Sequence, residues 1–69
     1  MKRLRVRSSV IRSLGYDQVT LTLEVEFKTG QVYRYRPVPR SKFNALKGAE
    51  SKGRYFNANI RDRYSFVHV

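Results

Sequence analysis

Residues Val19 to Val38 read Val-Thr-Leu-Thr-Leu-Glu-Val-Glu-Phe-Lys-Thr-Gly-Gln-Val-Tyr-Arg-Tyr-Arg-Pro-Val, and this stretch decides the fold. Val19, Leu21, Leu23, Val25 and Phe27 alternate with Thr20, Thr22, Glu24 and Glu26. Strict alternation predicts a strand over Val19–Phe27 with one buried face. A turn at Lys28-Thr29-Gly30 leads into a second run, Val32–Val38, ended by Pro37 and Pro39.

The register of this hairpin follows from the side chains. A two-residue loop at Thr29-Gly30 sets Val25 opposite Arg34 and Leu23 opposite Arg36, which drives arginines into the core. A three-residue loop with Gly30 in the left-handed region pairs Phe27 with Gln31 instead. Val25 then faces Tyr33, Leu23 faces Tyr35, and Glu24 faces Arg34. A slip of one residue inverts the whole strand, so the second register is the expected one.

Upstream, Ser9–Tyr16 reads as another strand, closed by the turn residues Gly15 and Asp17. Residues Met1–Arg7 form a basic arm that either follows phosphates or makes an edge strand protected by charge. Residues 8–69 make up the single domain. Downstream, Phe43, Leu46 and Ala49 at three-residue spacing predict a short helix over Arg40–Ala49. Pro39 suits the helix start, and Gly48 weakens its last turn. Ser51 is positioned to cap a second helix over about Lys52–Asn57, and Arg61–Val69 is a tail with room for a short final strand. The expected fold class is α+β: a three-stranded antiparallel meander followed by one or two short helices packed on one face.

Composition narrows the function. The chain has 69 residues, 41% of them hydrophobic, which suits one small folded domain without space for a deep substrate cleft. There is no cysteine, so disulfides and cysteine-based zinc sites are excluded. No apolar run has the length of a signal peptide core or a membrane span, and a cytoplasmic location is expected. Fifteen Lys and Arg oppose five Asp and Glu, for a net charge of +10. The pI near 10.7 makes nucleic acid the leading partner. Ten of the cations are arginine, whose planar group suits phosphate contacts and base stacking.

With these elements placed, the chain resembles the KTSC domain family, named for the C-terminus of some lysyl-tRNA synthetases. The resemblance rests on Ser8-Ser9, Ile11, Gly15-Tyr16-Asp17, Leu23-Glu24-Val25-Glu26-Phe27 and Gly30. It continues through Val32-Tyr33-Arg34-Tyr35, Val38-Pro39, Ser51-Lys52-Gly53-Arg54-Tyr55-Phe56-Asn57 and Ile60-Arg61. Tyr33-Arg34-Tyr35 matches the family's hallmark Tyr-x-Tyr. The resemblance implies a small domain found alone or fused, and the synthetase context implies RNA. Arg40-Ser41-Lys42 departs from the acidic pair common at that place, and the Met1–Arg7 arm is unusually basic.

No catalytic constellation stands out. A Gly-x-x-x-x-Gly-Lys loop is missing, because Arg54 follows Gly53 and no strand precedes Gly48. His68 has no companion, and Glu24 is expected to pair with Arg34. No enzyme, cofactor or metal is therefore expected. Candidate nucleic-acid contacts are Arg34 and Arg36 on the outer sheet face, and Lys52, Arg54, Asn57, Arg61 and Arg63 around the second helix. An ordinary solvated face, helix caps and core packing are the alternative roles for these positions. Tyr33 and Tyr35 are expected in the core beside Leu23 and Val25 rather than as stacking platforms. RNA is favoured over DNA. The rival is a protein-interaction module that docks on an acidic protein. Membrane attachment is disfavoured, since the Arg40–Ala49 helix is short and poorly hydrophobic.

Overall fold

A computed structural model describes all residues from Met1 to Val69. The chain folds as β1 (Arg3–Arg5), β2 (Ile11–Asp17), β3 (Thr22–Phe27), β4 (Val32–Arg36), α1 (Arg40–Gly48), α2 (Lys52–Asn59) and β5 (Ser65–His68). All five strands join one antiparallel sheet in the order β1-β2-β3-β4-β5. The α+β class is as expected, but the sheet has five strands rather than three. Arg3–Arg5 forms one edge, and the C-terminal tail returns after the helices to form the other.

The β3–β4 register is the expected one, with Leu23 opposite Tyr35, Glu24 opposite Arg34 and Val25 opposite Tyr33. Gly30 has a φ of 96°. A residue with a Cβ is strained there, so the turn depends on glycine. The Gly30 N–H donates to Phe27 O, and the Phe27 N–H donates to Gln31 O, both at 2.9 Å.

Strand ends differ from the sequence reading for local reasons. β3 begins at Thr22, not Val19. Asp17 Oδ1 accepts from the N–H groups of Val19 and Thr20, and Leu21 takes a left-handed φ of 57°. This side-chain turn ends the extended run and leaves Val19 88% exposed. β4 stops at Arg36, before proline removes the next ladder donor. In β2 the pairing shifts between Ile11 and Ser13, a bulge at Arg12. The extra residue lets Ile11 and Leu14 both face the core.

The core lies between the sheet and the helices. Ile11, Leu14, Leu23 and Val25 on the strands meet Leu46 and Ile60, all fully buried. Phe43 of α1 stacks on Tyr16, with ring centroids 4.9 Å apart. Phe56 of α2 packs edge-on against Tyr35 and Phe27, at 5.3 and 5.4 Å. The Tyr16 hydroxyl donates to Val38 O at 2.6 Å and ties β2 to the segment before α1.

The opposite face carries charge. Glu24 lies at its centre and is only 6% exposed. Arg34 Nε donates to Glu24 Oε1 at 2.7 Å, and Arg3 Nε approaches Glu24 Oε2 at 3.1 Å. Arg3 is two strands away, and Gly15 stands between it and Glu24. A Cβ on Gly15 would meet Arg3 Cγ at 3.0 Å and the Lys2 carbonyl oxygen at 3.2 Å. The bare backbone of Gly15 thus lets Arg3 cross β2 to reach the carboxylate.

Gly15→Val crowds Lys2 and Arg3 and lowers stability by about 1–3 kcal/mol. Glu24→Gln costs about 1–2 kcal/mol, less than a fully buried pair because both arginines keep contact with water. Urea unfolding reads both variants, and the double variant loses less than the sum because both act through Arg3. Wild-type stability for Gly15→Val would rule out this role of the glycine.

Two phenols make stability depend on pH. Burial pushes the phenols of Tyr16 and Tyr35 above their ordinary 10.0. Above about pH 10 the unfolded chain releases these protons before the folded one does, so stability falls as pH rises. Urea midpoints at about pH 9 and about pH 11 measure the fall, and Tyr35→Phe makes it shallower. An equally steep fall in that variant would exclude Tyr35 as a source.

Candidate nucleic-acid interface

The seven expected contact residues occupy four places. Arg34 and Arg36 lie on the outer sheet face, beside a recess shared with Asp17, Thr20, Thr22 and Ser65. Arg34 is held by Glu24, while Arg36 has no acidic partner. Arg63 stands apart, its Nε donating to Ala58 O in the last turn of α2 at 3.3 Å. A cation there complements the negative end of the helix dipole.

Lys52 and Arg54 lie in the first turn of α2. Ser51 caps this helix, its Oγ accepting from the Arg54 N–H. Lys52 Nζ donates to Ala49 O at 3.0 Å, which leaves its other two donors free. Arg7, Ser8, Lys52, Gly53, Arg54 and Asn57 line a basic recess here, joined by Glu50. Gly53 does allow a close approach, but the group it admits is Val10. A Cβ on Gly53 would sit 3.2 Å from Val10 Cγ2. Its role is to seat α2 against the start of β2.

Asn57 and Arg61 border a second, larger groove between α2 and the β4–β5 edge, about 730 Å³ in volume. It is an open trough and not the deep cleft that the chain's length argues against. The trough exists because the helices do not reach the edge strands, and every residue of β1 and β5 is exposed. Its rings form a continuous network. Tyr33 packs on Phe27 at 5.9 Å, on Phe66 at 5.6 Å and stacked on His68 at 4.6 Å. Tyr35 is buried as expected, whereas Tyr33 is half-buried and lines the trough. Phe66, the other aromatic of the β5 wall, is 56% exposed.

The trough and the basic recess meet. Ser9, Val10 and Asn57 line both, so one continuous surface runs from Arg7 and Arg54, past Asn57, to Arg61 and the rings. Sequence reading found the cations and Asn57 but not Phe66. The signal available was the alternation of Tyr64, Phe66 and His68, which places Phe66 beside Tyr35 once the tail is given a neighbour.

Across the chain, ion pairs use few cations. Only Arg3 and Arg34 of the fifteen Lys and Arg lie within 4.0 Å of a carboxylate, which leaves thirteen unneutralised.

Comparison with known proteins agrees with this architecture. The KTSC domain model matches residues 7–64. An uncharacterized protein of Stutzerimonas stutzeri is 53% identical over 64 residues, which cover 93% of this chain and 90% of that protein. The lysine–tRNA ligase of Nostoc punctiforme is 43% identical over 66 residues, covering 96% of this chain but 12% of the ligase. The crystal structure of a KTSC domain protein from Yersinia pestis aligns with a TM-score of 0.96 at 34% identity, covering 99% of this chain and 96% of that one. With the fold reproduced along its length and the family model spanning most of the packed unit, this chain belongs to the KTSC domain family.

Proposed function

We propose that this chain is a non-catalytic, cytoplasmic nucleic-acid-binding domain with RNA as its preferred target. The observation that carries the reading is the continuous surface on which unpaired cations lead into an aromatic trough. Arg7, Lys52 and Arg54 supply the basic end, Asn57 the junction, and Arg61 the trough's rim. Phosphates would lie along the cations, and exposed ring faces would receive bases. Arg36 offers a weaker contact on the opposite face, and Arg34 is largely committed to Glu24. The ligase of Nostoc punctiforme is named for tRNA, and its homologous region supports RNA over DNA. The non-catalytic reading rests on the fates of the carboxylates. Glu24 is engaged by two arginines, and Glu26 accepts from Ser13 Oγ at 2.8 Å.

Fluorescence anisotropy with labelled single-stranded RNA, duplex DNA and a non-nucleic polyanion tests the proposal. Affinity for RNA should exceed the polyanion control and fall with salt, with a log–log slope of about −0.7 per phosphate neutralised. An Arg54→Glu/Arg61→Glu variant should bind at least about tenfold more weakly and show a shallower slope, by roughly one or more. Equal binding to every polyanion, unchanged in the variant, would overturn the assignment. Capture of one stoichiometric acidic protein that survives nuclease treatment would then favour the protein-interaction rival.

A further inference from the structure

Nucleic acids differ in whether their bases are free, and the lining of the trough bears on that difference. Its wall is Phe66, an aromatic ring left 56% exposed although the domain has a core nearby to receive it. Tyr33 lies 5.6 Å away at an interplanar angle of 57°, so the two rings do not cover each other's faces. His68 occupies one side of Tyr33, stacked at 18°. Tyr35, opposite Phe66 on β4, lies 5.6 Å from it at 35°, so Phe66 packs against β4 on one side and offers its exposed remainder to the trough, with Tyr33 beside it. Around this pair the rim is polar: Gln31 and Asn57 carry amides, Asp62 a carboxylate and Arg61 a guanidinium.

That combination has a chemical meaning. An amide presents a donor and an acceptor side by side, which matches the Watson–Crick edge of a base. In a duplex those edges are paired and the base faces are stacked on neighbours, so neither is available to the trough. A purely apolar occupant would make no use of the rim amides, Asp62 or Arg61, which are exposed and available as hydrogen-bond partners. The unneutralised cations continuing from Asn57 to Arg54 supply charge complementarity to a polyanionic strand.

Building on the proposed nucleic-acid function, we infer that the trough between α2 and the β4–β5 edge takes unpaired bases of a single strand, stacked on Phe66 beside Tyr33. Phosphate contacts at the basic recess hold the strand, and the trough selects for bases that are free to leave a stack.

The test uses the full chain, Phe66→Ala and Phe66→Tyr. Because Phe66 is largely exposed, neither substitution empties the core. Anisotropy is measured on a short single-stranded RNA, its blunt duplex and an abasic strand of the same length. Wild type should prefer the base-bearing single strand over both others. Phe66→Ala should weaken that binding about tenfold while leaving the salt slope and the two other affinities unchanged. Phe66→Tyr, which keeps a ring, should restore it. Equal wild-type affinity for all three probes would overturn the inference, as would equal weakening of all three in Phe66→Ala. If salt-sensitive binding persists but ignores Phe66, the stacking inference fails and the nucleic-acid proposal stands. Absence of salt-sensitive binding in wild type defeats both.

Discussion

The three-residue turn at Lys28-Thr29-Gly30 decides which face every side chain of β3 and β4 occupies. With Gly30 at a φ of 96°, Leu23, Val25, Tyr33 and Tyr35 share one face, while Glu24 and Arg34 share the other. Shifting the pairing by a single residue would bring Arg34 and Arg36 under the helices, where unpaired charges carry a large desolvation cost. The core, the ion pairs and the trough all inherit this choice. Tyr33 can floor a groove only because β4 turns that side toward α2.

The outer face solves a second problem created by the same register. Glu24 lies on the central strand, nearly out of contact with water. One arginine from β4 meets one oxygen, and Arg3 reaches the other across Gly15. The basic N-terminus is thereby given structural work: Arg3 fixes β1 to the sheet, and charge protects that edge from further pairing. Of the two expectations for the arm, Arg3–Arg5 takes the edge-strand one. Arg7, just beyond it, is free to line the recess at α2.

Much of this was legible in the sequence, and the limits have physical causes. Alternation and turn chemistry act over neighbouring residues, so the hairpin register, the Ser51 cap and the Phe43–Leu46 face could be read directly. Val19 misled because alternation continues through it, while the Asp17 side chain bends the backbone and Leu21 takes a left-handed conformation. The bulge at Arg12 was hidden for a similar reason, since one inserted residue resets the pattern without a marker residue. Edge strands were hardest. Every residue of Arg3–Arg5 and Ser65–His68 is exposed, so the alternation in each is too short to mark a buried face, and pairing with the neighbouring strand defines them. The candidate surface was half visible: its cations stand in sequence around α2, but Phe66 joins them only through pairing with β4.

The arrangement also explains how so small a domain keeps an open aromatic trough. A sheet of five strands is wider than its two short helices cover, and the uncovered margin at β5 is aromatic instead of charged. Filling that margin with a third helix would gain stability and remove the trough. Extending the charged pattern of β1 to β5 would protect the edge and remove the rings. At β5 the chain instead leaves Phe66 and Val67 exposed on a short strand, while the cations elsewhere supply solubility and mutual repulsion. Exposed rings at an edge are ordinarily an aggregation hazard. A net charge of +10 offsets that hazard, because repulsion between copies opposes edge-to-edge pairing while the ring faces stay uncovered.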